Sequence, residues 1–79
     1  MRAREAYRVI VRRGGRMPAL LAHHDTLDHV EVVDLADGEV VLFWDCTPQR
    51  RKRLARALRE ELSQLDAKEF IDRWRAAAD

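Results

Sequence analysis

Two β-rich runs, Val30–Leu35 and Glu39–Cys46, flank Ala36-Asp37-Gly38. Asp-Gly between alternating apolar residues is a strong hairpin signal, because Gly accepts the left-handed backbone that a tight reversal needs. Along the second run Val40, Leu42, Trp44 and Cys46 share one face, and Val41 and Phe43 share the other with Glu39 and Asp45. The partner face depends on the turn. A two-residue turn sets Val33 and Leu35 beside Val40 and Leu42, and leaves Val30 and Val32 with Val41 and Phe43. A three-residue turn with a bulge sets Val30 and Val32 beside Val40 and Leu42 instead. A slip of one residue turns the whole strand over. In either register the hairpin is apolar on both faces, so one face needs cover beyond its own helices. Val30, Val32, Val41 and Phe43 are the expected self-association face, and a two-fold homodimer is the commonest arrangement that covers such a face. Residues 16–28 folding back across the sheet would be the alternative cover.

The rest of the chain supplies one more strand and two helices. Ala6–Arg13 alternates Tyr7, Val9 and Val11 against Arg8, Ile10 and Arg12, the period of a half-buried strand. Gly14-Gly15 ends it. Arg16–Asp28 reads either as a short helix begun by Pro18 or as an irregular loop. Thr47-Pro48 is a helix start, and Leu54, Leu58, Leu62 and Leu65 form its apolar stripe. Asp66 opens a second helix, with Glu69 in capping-box position and Leu65 and Phe70 as a hydrophobic staple. Phe70, Ile71, Trp74 and Ala77 or Ala78 form its apolar side. The expected fold class is α+β: a three-stranded, mainly antiparallel sheet packed by two C-terminal helices, in the order β-(α)-β-β-α-α, as one domain over residues 1–79.

Composition limits what such a domain can do. Of 79 residues, 47% are hydrophobic, which is too many for a disordered chain. No apolar run approaches the roughly 20 residues of a membrane helix, so no membrane partner is expected. Arginines interrupt the apolar residues of Met1–Gly15, which is not the pattern of a signal peptide. The lone Cys46 excludes an internal disulfide and fits a reducing cytoplasm. Thirteen Arg against two Lys, with eleven Ala, point to a bacterial genome of high GC content.

A net charge of +1 hides four blocks of alternating sign. Residues 1–16 carry six Arg against Glu5, and residues 17–49 carry seven acids and no Lys or Arg. Residues 50–59 carry six cations and no acid, and residues 60–79 carry six acids against three cations. Cations in the first turns of a helix oppose its dipole. Arg50, Arg51, Lys52, Arg53 and Arg56 are therefore a candidate anion or nucleic-acid site. The competing expectation is that hairpin acids such as Asp45 neutralise them, with the Arg51 stem laid over the leucine stripe. The net charge falls short of a strongly basic domain, and closely spaced sheet aromatics are lacking. The G-x-x-G loop of a KH domain is also absent, since Gly14 and Gly15 are adjacent and Arg16-Met17 follows.

His23, His24, Asp28 and His29 are the nearest approach to a metal signature. If the segment is helical, His24 and Asp28 stand at i, i+4 and present an imidazole and a carboxylate together. In the two-residue-turn register Cys46 would lie opposite His29. No phosphate loop, nucleophile elbow or Cys-His pair with an orienting group is present, so no catalysis and no cofactor are expected. The function expected is a small non-enzymatic interaction or regulatory module that self-associates. A nucleic-acid binder and a weak transition-metal binder are the alternatives. A second protein is a further possible partner.

Overall fold

The computed structural model describes residues 1–14 and 27–78. Its elements run α1 (Ala3–Ala6), β1 (Tyr7–Arg12), β2 (Asp28–Asp34), β3 (Val40–Cys46), α2 (Pro48–Gln64) and α3 (Ala67–Ala78). The strands form one antiparallel sheet in the order β1-β2-β3, and the two C-terminal helices pack on one face of it. This is the α+β arrangement read from the sequence. The short helix α1 was not foreseen, and it takes Ala6 out of the expected first strand. Of the segment 16–28, residues 16–26 lie outside the described residues; Leu27 is exposed and Asp28 opens β2.

The chain reverses over Leu35–Gly38. Asp34 N–H donates to the Glu39 carbonyl and Gly38 N–H to the Asp34 carbonyl, both at 2.8 Å. Gly38 takes φ +76°, the left-handed conformation that favours Gly. Val32 pairs with Leu42 but Val33 pairs with Val40, so Val41 is an extra residue on β3. This bulge decides the register. Val30 and Val32 face the helices beside Trp44 and Leu42, and both are fully buried. The expectation that they share the outer face with Val41 and Phe43 is therefore corrected. Val41 is half-buried and packs against the core, and Phe43 alone of the four is exposed.

Thr47 caps α2 as its sequence predicts, its hydroxyl accepting from Arg50 N–H at 3.3 Å. The buried side of α2 is Arg51, Ala55, Leu58 and Leu62, with Leu54 and Leu65 only half-buried at its margin. Phe70 and Ile71 anchor α3, Trp74 is half-buried, and Ala77 is exposed. Phe70 lies 5.7 Å from Tyr7 in ring centroid, and Trp74 meets Trp44 edge-on at 5.9 Å. Burying Phe70, Leu58, Val30 and Val32 each contributes about 1.5–3 kcal/mol, offset by chain ordering.

The amino-terminal segment closes the far end of the core. Ala3 N–H donates to the Leu65 carbonyl, and Ala67 N–H donates to the Met1 carbonyl. Arg2 and Asp66 form a single antiparallel bridge across the link between α2 and α3. The Met1 ammonium lies 3.3 Å from Asp66 Oδ1. That hydrogen bond holds the Asp66 carboxyl below its usual pKa, helped by the Lys68 and Ala67 N–H groups.

Candidate functional site

Asp28 begins β2 on the face turned toward the helices and is buried. Its Oδ2 accepts from Arg51 Nε at 2.6 Å, and its Oδ1 accepts from Gly14 N–H at 3.0 Å. One carboxylate thus ties the first turns of α2 to the exit of β1. Arg51 is buried as well, so this cation of the basic cluster is structural. Its partner is Asp28 rather than the expected Asp45. Asp45 sits on the outer face, paired with His29 Nδ1 at 2.5 Å.

Of the proposed metal set, Asp28 and His29 are described, and these two do not come together. Asp28 and His29 are adjacent in a strand, so they point to opposite faces. Both Asp28 oxygens already have donors, and His29 is held by Asp45. No cluster of three metal-ligating side chains occurs among the described residues. His23 and His24 lie outside the described residues. Cys46 pairs across the sheet with Asp28, on the face away from His29, so the expected facing of Cys46 and His29 is also corrected. Cys46 is a buried free thiol. Its burial, then the Asp28 carboxylate, push its pKa above the ordinary thiol value.

The outer face of the sheet mixes pairs and apolar surface. Arg12 Nε donates to Glu31 Oε1 at 3.0 Å, and His29 stacks on Phe43 at 5.3 Å between ring centroids. Toward the hairpin turn the polar pairs give way to Leu35, Val40 and Phe43, all between 45% and 49% exposed. Val33 and Ile10 are half-buried beside them.

The remaining cations of α2 point outward. Arg50, Lys52, Arg53 and Arg56 are exposed, and among the described residues none of them forms an ion pair. Arg50 and Arg53 border a shallow depression with Thr47, Gln49 and Leu54. Arg59, outside the expected set, lines a second cleft with Arg12 and Arg13 from the end of β1. The signal for Arg59 was its spacing, seven residues beyond Lys52. That for Arg12 and Arg13 was absent, because tertiary packing and the Asp28 bridge, neither of them local in sequence, set β1 against α2. Comparison with models of protein families, with curated proteins and with solved structures returns no match. No helix among the described residues is long and apolar enough to cross a membrane.

Proposed function

We propose that this chain is a small, non-enzymatic bacterial interaction module of the cytoplasm, and that its first partner is a second copy of itself joined along β3. The observation that carries this reading is the contrast between the two sheet edges. Among the described residues β1 and β3 are both terminal strands, with no further strand paired on their outer sides. The β1 edge is guarded by Arg8, Arg12 and Arg13, all exposed. Charged side chains on an edge discourage pairing with another strand. The outer face of β3 carries exposed Val40 and Phe43, with Asp45 as its one charge. Two β3 strands related by a two-fold axis would continue the sheet and bring the two apolar patches together. A regulatory role fits such a module, since pairing can be set by concentration or by a competing strand.

Sedimentation velocity tests this. The wild-type chain should sediment as a dimer at high-micromolar concentration. Phe43→Ser should weaken the dimer at least about tenfold, a loss of about 1.4 kcal/mol or more. A wild-type chain that remains monomeric through that range contradicts the reading.

A further inference from the structure

Pairing along β3 leaves the cationic side of α2 without a role. Lys52, Arg56 and Arg59 stand at i, i+4 and i+7, so they line one exposed flank over about two turns of helix. The cleft beside Arg59 adds Arg13, which is exposed at the exit of β1. Among the described residues, none of these four cations has a carboxylate within ion-pair distance. The two segments are held together by Asp28, through Arg51 on one side and Gly14 on the other. The hairpin acids Asp34, Asp37 and Glu39 lie at the opposite end of β2, about 20 Å away along the strand. These three acids are thus too far away to neutralise the basic surface, and the acids at its own end, Asp28, Glu31 and Asp45, are already held by Arg51 and Gly14, by Arg12 and by His29.

We propose that this surface, Arg13 with the Lys52–Arg56–Arg59 flank, binds the phosphate backbone of a nucleic-acid duplex. A duplex presents one charge per about 1.7 Å of its axis, dense enough for each cationic head to meet a phosphate oxygen. Guanidinium forks suit that contact by forming two parallel hydrogen bonds. A protein partner fits less well, because the one large apolar residue exposed next to Asp28 is Leu27, at 37%. Protein interfaces centre on a cluster of apolar anchors, and the clustered ones here, Leu35, Val40 and Phe43, belong to the hairpin. A single strand fits less well too, because it needs aromatic platforms for its bases. Tyr7 packs on Phe70, Trp44 packs on Trp74, and Phe43 stacks on His29. The side chains of the flank carry no base-reading pattern, so binding is independent of sequence and sensitive to salt.

The test is fluorescence anisotropy with a short labelled DNA duplex across about 50 to 200 mM salt. Four phosphate contacts predict a log–log slope of about −3.6, or roughly a hundredfold loss of affinity over that range. The charge-neutral triple variant Lys52→Gln, Arg56→Gln, Arg59→Gln should bind with a slope smaller by about 3. Lys68→Gln on α3 should bind as wild type does. Far-UV circular dichroism of each variant, compared with wild type, verifies the fold. Phe43→Ser should retain duplex binding, so failure of self-association and failure of this proposal are told apart. Absence of binding by the wild type at the lowest salt overturns the proposal. So does a triple variant that binds unchanged, or tighter binding of a labelled single strand or of poly-glutamate than of the duplex.

Discussion

At Asp28 both carboxylate oxygens are committed, one to the Arg51 guanidinium and one to the Gly14 N–H. Breaking a buried ion pair from one side strands a charge, which costs far more than replacing both partners with apolar groups. Asp28→Ala should therefore destabilise the fold by about 3–5 kcal/mol in urea unfolding. The double variant Asp28→Leu, Arg51→Met should recover most of that loss. A single variant that costs less than about 1 kcal/mol would contradict the role given to the pair. Beside it, the Cys46 thiol is buried and its pKa is raised. A raised folded pKa favours the protonated thiol, so its contribution is present at neutral pH and is lost as pH rises through the folded value. Cys46 should react slowly with a disulfide reagent at neutral pH and rapidly once denaturant unfolds the chain. Equal rates in the two conditions would show an accessible thiolate. Arg51 illustrates what the sequence hides at this scale. It lies four, seven and eleven residues before Ala55, Leu58 and Leu62, so its position on the buried stripe was legible, but the identity of its acid was not.

At the scale of elements, periodicity carried most of the fold. The alternation in Val30–Leu35 and Glu39–Cys46, the Thr47-Pro48 start and the break at Asp66 all correspond to observed boundaries within a few residues. Periodicity failed where the deciding interaction is non-local. The bulge at Val41 is a property of a strand pair, and both registers are compatible with the same residues. It sends Val30 and Val32 into the core and leaves the outer face less apolar than the sequence suggests. The helix α1 is four residues long and carries no periodic signature. Its setting comes from the bridge between Arg2 and Asp66, whose partners are at opposite ends of the chain. The basic cluster was legible as a cluster. Its division into one buried structural cation and an exposed flank required the packing of α2 on the sheet.

For the whole molecule, charge and apolar surface are sorted to different places. Among the described residues, unpaired cations line the β1 exit and α2, Asp34, Asp37 and Glu39 surround the hairpin turn, and Leu35, Val40 and Phe43 form an exposed apolar cluster on the hairpin. These surfaces are assigned separately in the two proposals, the apolar edge to a second copy of the chain and the cationic flank to a polyanion. The claim on which the functional reading rests is that the β3 edge is covered in solution. Hydrogen–deuterium exchange measured on dilute and concentrated samples reads that edge directly. Amides of Val40–Cys46 should exchange more slowly at high concentration while those of Tyr7–Arg12 stay unchanged. Identical exchange of the Val40–Cys46 amides at every concentration would contradict it.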